Sequence, residues 1–353
     1  STGTVPPVAG CVAAVKGRTR HANIPRGARA AARFQSGHMM LSGRRIGAGL
    51  LLLVLCALVT LALPVQTWRT GRLSVPDLTF TPPEMLPVPL QRVWVDTDAA
   101  CGHQPRTDVD DCLALWLLAR ARSVEIAGIS TVFGNAPLEV TDRTTRDLIE
   151  MLEGGEPKSF AVHRGANAPF VRGAGKATPA RKALRRALER APLTIVALGP
   201  LTNLADALEA RPALRANVNR IVAVMGRRMG HLFHPTEGSD GGSFLGHGPV
   251  FRDFNFSMDG NAVAAVVSMQ LPITLIPYDV ARAIEITPTD LREFEARGAA
   301  TAWIARRSAG WADYWRTDIG RSGFYPFDLL PAAYVLAPRQ FRCAEVTAWV
   351  GKD

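Results

Sequence analysis

The stretch VWVDTDAACGHQPRTDVDDCLALWLL, residues 93–118, decides the fold. Its apolar start predicts a buried strand, and its apolar end, from residue 113, predicts a helix. Asp96 and Asp98 follow the strand, and three further acids precede the helix. Ligands of open α/β sheets bind at the carboxyl ends of strands, and carboxylates crowded there destabilise one another unless a cation neutralises them. The stretch therefore predicts an α/β fold with a site for a hard cation, Ca²⁺ or Mg²⁺.

The second group of acids, Asp108, Asp110 and Asp111, also fits the start of a helix. Thr107 and Asp110 have the spacing of a capping box, and acids are favoured in the first turn of a helix. Capping is therefore an alternative or an additional role for this group. It does not explain the two acids at the strand end.

Strand-like and helix-like segments alternate along residues 92–353, a length that suits one large domain. Strands are predicted at 124–132, 193–198, 220–224 and 273–276, and helices at 141–152, 204–209 and 261–269. This alternation predicts an open, mostly parallel α/β sheet flanked by helices. Small or polar residues follow several strands, at 134–135, 199–203 and 225–226, so we expect them to meet at one rim of the sheet.

An unbroken apolar stretch, residues 46–65, precedes this domain and is long enough to span a bilayer. Arg44 and Arg45 come before it, and it contains only a poor match to a signal cleavage site. The stretch predicts a transmembrane anchor, with a cleaved export signal as the alternative. Because positive charge stays on the cytoplasmic side, we expect the following domain outside the cytoplasm, either periplasmic or extracellular.

The excess of basic residues lies at the N-terminal end. Ten of the 41 basic residues and none of the 31 acidic residues precede Asp77, so the remainder of the chain is balanced. A neutral domain without a basic stripe excludes nucleic acid as an expected partner. Residues 1–45 are predicted to be disordered, and the Pro-rich residues 66–91 are predicted to form a stiff linker.

Six short motifs follow one another along the domain. They are DTD at 96–98 with the acids at 110–111, TVFGN at 131–135, ALGPLTN at 197–203, VMG at 224–226, DFN at 253–255 and FD at 327–328. In this order they resemble the calcium-dependent nucleoside hydrolases, the inosine-uridine-preferring type, over nearly all of residues 92–350. One motif alone would be weak support, but several in register are specific. The resemblance implies the nucleoside hydrolase fold and cleavage of ribonucleosides to free base and ribose.

The resemblance also implies a metal site. The side chains of Asp98, Asp111 and Asp328 and the main-chain carbonyl of Leu198 correspond to the ligands of a Ca²⁺ ion. Asp98 would also accept a proton from a metal-bound water. On its own, Asp328 would equally suit the first residue of a helix.

The remaining site residues are implied in the same way. Asp110 and Asn135 would bind the ribose or orient the attacking water, and thus take part in catalysis with Asp98. Asp253 and Asn255 resemble the residues that hold the sugar hydroxyls, and Met225 the thioether beside the ring. Taken singly, these residues suit turns, caps and core positions; as an ordered set they favour a site.

Two departures from the family pattern bear on function. Residues 99–109 stand where the first motif usually has a Pro-Gly link, and Phe327 stands where a histidine often acts on the leaving base. Cys101 and Cys112 flank the longer loop. They would either form a disulfide in an oxidising compartment or serve as two small residues at a crowded site.

Two functions compete on these grounds. The first is a membrane-tethered N-ribohydrolase for purine or pyrimidine salvage, with a homo-oligomer left open. The second is a catalytically weakened riboside-binding protein that keeps the metal site, as Phe327 suggests. Because Asp98, Asp110 and Asp111 are all present, we favour hydrolysis. A phosphatase is excluded because the phosphoaspartate motif requires Thr or Val where Ala100 stands.

Overall fold

The structure, a computed structural model, describes residues 7–13, 90–153, 160–174, 177–226, 253–348 and 350–351. Within these ranges, eight strands form one sheet in the order β4-β3-β2-β5-β6-β7-β1-β8. The strands are β1 Pro7–Ala13, β2 Gln91–Thr97, β3 Val124–Thr131, β4 Val162–Arg164, β5 Leu193–Ala197, β6 Val218–Val224, β7 Ile273–Ile276 and β8 Phe341–Thr347. All neighbouring strands are parallel except the pair β1–β8. The predicted mostly parallel α/β sheet is therefore confirmed.

Helices connect the strands and cover the sheet. They are α1 Asp110–Arg120, α2 Leu138–Glu153, α3 Pro179–Arg190, α4 Thr202–Glu209, α5 Phe254–Met258, α6 Gly260–Ser268, α7 Pro288–Glu295, α8 Ala299–Arg307, α9 Ala309–Tyr314 and α10 Leu329–Leu336. A π-helical turn, Trp315–Ile319, follows α9. The helices predicted at 141–152, 204–209 and 261–269 correspond to α2, α4 and α6, with ends that differ by up to three residues, and the helix predicted from residue 113 lies within α1.

Successive residues of β2 belong to two different hydrophobic cores, one on each face of the sheet. Val93 and Val95 are in the core that contains Leu115 of α1, whereas Trp94 is in the core that contains Leu184 of α3. Strands of a parallel sheet that are buried on both faces read as continuous apolar runs. This is why the run at 93–95 indicated a strand so clearly. The strand continues two residues beyond this run, so Asp96 lies within β2 and Asp98 directly follows it.

Strand β1 lies in the segment 1–45 that the sequence predicts to be disordered. It pairs in parallel with β7 and antiparallel with β8, where Cys11 is the register partner of Cys343. The prediction of disorder is therefore corrected for these seven residues. The physical reason is local composition, because PVAGCVA carries β-branched valines and no charge, unlike the Arg-rich sequence that follows.

The predicted membrane anchor at 46–65 lies outside the described residues. Within those residues, no helix is both long enough and apolar enough to cross a bilayer. The longest of them, α2, has 16 residues, which at about 1.5 Å per residue is shorter than the roughly 30 Å hydrocarbon core, and it carries charges along its length. The localisation of an anchored or exported domain, predicted from hydropathy and from the preceding positive charge, is corrected accordingly, because the described residues show no anchor.

Candidate active site

Strand β2 lies between β3 and β5, and the carboxyl ends of these three parallel strands form the rim where the site is built. Asp98 follows β2. Gly134 and Asn135 follow β3, and Leu198 and Gly199 follow β5. The structure therefore brings together side chains from motifs that are up to about a hundred residues apart, as the strand pattern predicted.

Asp98 is buried at the centre of this rim, with 1% of its surface exposed. Its Oδ2 accepts a hydrogen bond from the main-chain N–H of Asn135 at 2.8 Å, whereas Oδ1 is buried without a hydrogen-bond partner. Gly134 and Gly199 allow this close packing. A Cβ at Gly199 would lie 2.9 Å from Oδ1, and a Cβ at Gly134 would overlap Oδ2.

The side-chain amide of Asn135 bridges two further carboxylates. Its Nδ2 donates to Asp108 Oδ1 at 3.0 Å and to Asp111 Oδ2 at 3.3 Å. The other oxygen of Asp111 accepts a short hydrogen bond from the hydroxyl of Thr97 at the end of β2. Asn135 is thus in contact with three acids, through its main chain and its side chain.

Asp110 and Asp328 come from the first turn of α1 and from the residue before α10, and these two helices pack together. The main-chain N–H of Asp328 donates to Asp110 Oδ2 at 2.9 Å. In both residues Oδ1 is buried without a hydrogen-bond partner. Helix packing therefore brings the last motif of the sequence onto the first.

Four of the acids are close enough to share one ion. Asp108, Asp110, Asp111 and Asp328 each offer an oxygen, and these atoms lie within 4.8 Å of one another. Asp98 is outside this group, although its charge raises the pKa of Asp328. Of the predicted side-chain ligands, Asp111 and Asp328 thus belong to this group, and Asp98 does not. The group also contains Asp108, which was not among the predicted ligands but lies in the acidic run that predicted a cation site, with helix capping as the alternative.

The capping alternative fails for α1. Its N-cap residue is Val109, and no side-chain hydrogen bond caps the helix. Thr107 and Asp110 therefore do not form the capping box that their spacing allows. The acidic run that contains Asp108, Asp110 and Asp111 was the sequence signal for a cation site at this position.

Burial and mutual repulsion dominate the electrostatics of the cluster. Burial raises the pKa of Asp110 to about 6 and that of Asp111 to about 7. Burial and then the neighbouring negative charges raise the pKa values of Asp98 and Asp328 well above the usual range of a carboxyl. No Lys or Arg forms an ion pair with these acids in the part of the chain that is described.

This donor set fits a hard divalent cation. Three carboxylate oxygens are buried without hydrogen bonds, on Asp98, Asp110 and Asp328, and each such atom is costly unless a proton or a cation satisfies it. All the converging side-chain ligands are oxygen atoms, as Ca²⁺ and Mg²⁺ prefer. The cluster can therefore hold a metal ion.

The predicted substrate residues lie beside the cluster and are engaged in protein contacts. Nδ2 of Asn255 donates to the carbonyl of Leu198 at 2.6 Å and to that of Val224 at 3.3 Å. Asp253 caps α5 through the N–H of Phe256 at 3.0 Å and accepts from the N–H of Gly226 at 2.7 Å. Met225 is buried in the hydrophobic core, with 4% of its surface exposed. These contacts fix the β5 and β6 side of the rim.

Phe327, beside Asp328, is buried among aromatic side chains. Its ring centroid is 5.4 Å from that of Tyr278, in an edge-on arrangement, and 6.4 Å from that of Trp315. The hydroxyl of Tyr278 accepts from the N–H of Phe254 at 3.0 Å and donates to Asp253 Oδ1 at 3.3 Å. Burial raises the pKa of Tyr278 well above its usual value. A phenyl ring at position 327 has no proton to give to a leaving base.

A polar network behind the rim was not predicted from the sequence. Asp96 Oδ1 accepts from Ser130 Oγ and from Asn203 Nδ2, the latter at 2.8 Å. Asn203 also donates to the carbonyl of Thr131 at 3.0 Å and accepts from the N–H of Ala166 at 2.9 Å. These bonds tie together the ends of the strands that carry the site. Asp96 therefore braces the rim, and burial raises its pKa to about 7.

Cys101 and Cys112 form a disulfide, with Cα atoms 6.5 Å apart. Of the two alternatives that the sequence left open, the structure has the covalent one. The bond closes the loop that carries Asp108 and ends one residue beyond Asp111. It thereby links the segment that follows the DTD sequence at 96–98 to the helix that begins with the acids at 110–111.

Comparisons with known proteins agree with this architecture. A family model described as inosine-uridine preferring nucleoside hydrolase matches residues 93–352. The pyrimidine-specific ribonucleoside hydrolase RihA of Enterobacter sp. (strain 638) is 27% identical over 273 residues, which cover 69% of this chain and 80% of that protein.

Two solved structures are similar in fold. The plant nucleoside hydrolase PpNRh1 has a TM-score of 0.56 at 20% identity and covers 71% of this chain and 80% of its own. The purine-preferring ribonucleoside hydrolase from Gardnerella vaginalis has a TM-score of 0.56 at 19% identity and covers 70% of this chain and 81% of its own.

Proposed function

Since the chain belongs to the inosine-uridine preferring nucleoside hydrolase family and is a ribonucleoside hydrolase, we propose that the rim cluster cleaves the N-glycosidic bond of ribonucleosides. The products are the free base and ribose. The observation that carries this proposal is the convergence of buried, unpartnered carboxylate oxygens on Asp98, Asp110 and Asp328 beside Asp111. Enzymes of this family are metal-dependent, and this cluster supports such a site.

The ion that we propose is Ca²⁺, held by Asp98, Asp111 and Asp328 together with the main-chain carbonyl of Leu198. When bound, a calcium ion offsets the charge of the acids, positions a water molecule and lowers its pKa. The carbonyl of Leu198 already accepts from Asn255, and a carbonyl oxygen has a second lone pair for a cation.

Asp98 is the proposed general base. Its carboxylate is fixed, because Oδ2 is held by the N–H of Asn135, while Oδ1 remains without a partner and can receive a proton from the attacking water. Asp110 and Asn135 orient the water or bind the ribose hydroxyls. Asp110 has one unpartnered oxygen, and the Asn135 amide donates to two acids that also face the cluster.

The substrate is proposed to lie between this cluster and the β6 side of the rim. Asn255 and Asp253 accept hydrogen bonds from sugar hydroxyls, and Met225 contacts the ring. The transition state of glycoside cleavage resembles an oxocarbenium ion, and a pocket rich in carboxylates stabilises its positive charge. Because Phe327 cannot donate a proton to the departing base, we expect the enzyme to prefer substrates whose base leaves readily without protonation.

The alternative function is that of a riboside-binding protein that keeps the metal site but hydrolyses weakly. The observation behind it is the buried phenyl ring at position 327, where members of the family often have a histidine that acts on the leaving base. The two functions make the same prediction for metal binding and opposite predictions for turnover.

A nucleoside panel tests the proposal. The purified full chain is assayed for reducing sugar with uridine, cytidine, inosine, guanosine, adenosine and nitrophenyl riboside, with calcium and with excess chelator. We expect hydrolysis of at least one nucleoside in calcium and none in chelator.

Two variants make the test specific. Asp98→Asn removes the proposed base and should lower kcat by several orders of magnitude, more than the roughly 10²–10⁴-fold typical of general-base loss alone. Asp313→Asn removes an acid that pairs with Arg316 at the surface and should leave kcat unchanged. Calcium binding by the wild-type chain without cleavage of even nitrophenyl riboside would favour the riboside-binding function instead.

A further inference from the structure

The loop at residues 99–109 adds a carboxylate that the family motif does not account for. Asp108 accepts from Asn135 Nδ2 at 3.0 Å, and one of its oxygens lies within 4.8 Å of ligand atoms on Asp110, Asp111 and Asp328. Ionised carboxylates brought this close together repel one another, and a cation between them removes that repulsion.

The loop is held in place by contacts that are independent of any ion. The Cys101–Cys112 disulfide closes it at both ends. In its middle, Arg106 pairs with Asp318 at 2.8 Å and lies over the ring of Tyr314, 5.1 Å from its centroid. The backbone of Pro105 packs so closely on Gly310 that a Cβ there would lie 2.8 Å from it. Asp108 is thus delivered to the cluster by a tethered segment.

The neighbouring acids supply an independent sign that a ligand belongs here. Asp110 and Asp328 are at most 5% exposed, and each keeps one buried oxygen without a hydrogen-bond partner. Asp110 and Asp328 also belong to the group of acids that Asp108 joins. Adding a further negative charge to this group, with no basic side chain paired to it in the described ranges, would destabilise the fold unless a cation offset it.

We propose that Asp108 is an additional carboxylate of the cation site, delivered by the disulfide-closed loop, and that it raises the affinity of the site for a divalent ion. The inference rests on the proposed function, because it places the ion at the same rim. Asp108 also restrains the side-chain amide of Asn135, which donates to Asp111 as well. Cation affinity increases with the number of charged ligands, so this chain should bind calcium more tightly than a site built from the family motif alone.

Calorimetric titration of the metal-free full chain with Ca²⁺ tests the inference without relying on turnover. Asp108→Asn keeps the shape of the side chain and an acceptor for the Asn135 amide but removes the charge. We expect its Kd for Ca²⁺ to rise about 10–100-fold, the range typical when a residue supporting a metal site is lost. The matched control, Asp313→Asn, removes an equal charge from an exposed acid that pairs with Arg316 and does not hold the loop, and it should bind Ca²⁺ as the wild type does.

A second variant separates a binding effect from a folding defect. Asp108→Glu restores a carboxylate one methylene further out, so it should recover part of the lost affinity. Near-ultraviolet circular dichroism of the metal-free proteins should match in all four. An unchanged Kd in Asp108→Asn overturns the inference, as does an equal loss in Asp108→Glu and Asp108→Asn. Calcium-dependent nucleoside cleavage by the wild-type chain would then still support the proposed function, whereas its absence would refute that function whatever the Kd.

Discussion

At the scale of single residues, the site depends on how closely the backbone approaches Asp98. Gly134 has no side chain, and a Cβ at this position would overlap the Asp98 carboxylate. The Asn135 N–H that holds Asp98 Oδ2 comes from the next residue along the chain. Substitution here must therefore move either the carboxylate or the loop that orients it.

Gly134→Ala should for this reason reduce both calcium affinity and kcat by at least an order of magnitude, and overpacking should destabilise the fold by about 1–3 kcal/mol. Gly260→Ala is the matched control. A Cβ there would lie 3.5 Å from the ring of Phe256, an ordinary contact, at the start of α6. It should leave activity and melting temperature unchanged or slightly raised. Equal behaviour of the two variants would show that the close approach at Asp98 does not matter.

Phe327 gives a residue-scale test of how the base leaves. Its ring packs edge-on against Tyr278, so a histidine can occupy a similar volume while adding a proton donor. Phe327→His should raise kcat for purine nucleosides, because their base must be protonated as it leaves. The expected increase is up to about 10⁴-fold, the most that general acid catalysis typically contributes. Turnover of nitrophenyl riboside, whose leaving group needs no proton, should hardly change. A parallel rise for both substrates would point to altered binding rather than to a missing acid.

At the scale of elements, the Cys101–Cys112 disulfide links the end of β2 to the start of α1 across the loop that carries Asp108. Cross-links of this kind stabilise typically by about 2–4 kcal/mol, mainly by restricting the unfolded chain. Cys101→Ala with Cys112→Ala should therefore lower the melting temperature. It should also weaken calcium binding, because the loop is then held only by contacts such as that of Arg106 with Asp318.

Calcium titration of this double variant by calorimetry, beside the wild type under non-reducing conditions, measures the second effect. The two effects are separable, since stability is measured in chelator and affinity at a temperature where both proteins are folded. An affinity equal to that of the wild type would mean that the non-covalent anchors alone position Asp108.

The elements that the sequence predicted best are the central strands, both faces of which are buried. Successive residues of the run at 93–95 face two different cores, and a strand buried on both faces must be apolar at nearly every position.

The position of Asp108 could not be read from spacing, because it depends on how Pro105 packs on Gly310 and on which cysteines pair. The roles of Asn255 and Asp253 in holding main-chain groups were hidden for the same reason, since a partner carbonyl or N–H leaves no mark on the sequence.

At the scale of the whole molecule, composition predicted less than motif order did. Motifs spread over residues 96–328 meet at one rim because the parallel strands deliver them there, and this made the family predictable. The hydropathy of 46–65 suggested a localisation that no described helix supports. Hydropathy indicates only whether a segment could enter a bilayer, whereas the described fold depends on how its strands and helices pack. A property of the whole molecule that follows from this packing is the electrostatic strain of the buried acids, because it affects the stability of the entire fold.

That strain gives a prediction for stability and pH. Burial raises the pKa values of Asp96, Asp110 and Asp111 to about 7, 6 and 7, above the roughly 3.9 of an unfolded aspartate. Between about pH 4 and pH 7 the folded metal-free protein therefore binds more protons than the unfolded chain, so its stability falls as pH rises. The melting temperature in chelator should be higher at pH 5.5 than at pH 8.

Calcium should reverse this dependence, because it binds the ionised carboxylates and competes with protons for them. The increase in melting temperature on adding Ca²⁺ should be larger at pH 8 than at pH 5.5, and at a hundredfold excess over Kd it corresponds to about 2.7 kcal/mol. Asp111→Asn isolates the cluster from other titrating groups such as His163, whose pKa is lowered by burial and whose effect on stability has the opposite sign. In chelator this variant should lose part of the slope between pH 5.5 and pH 8. If the variant and the wild type had the same slope, the buried acids would not be the source of the strain, and a cation would not be needed to relieve it.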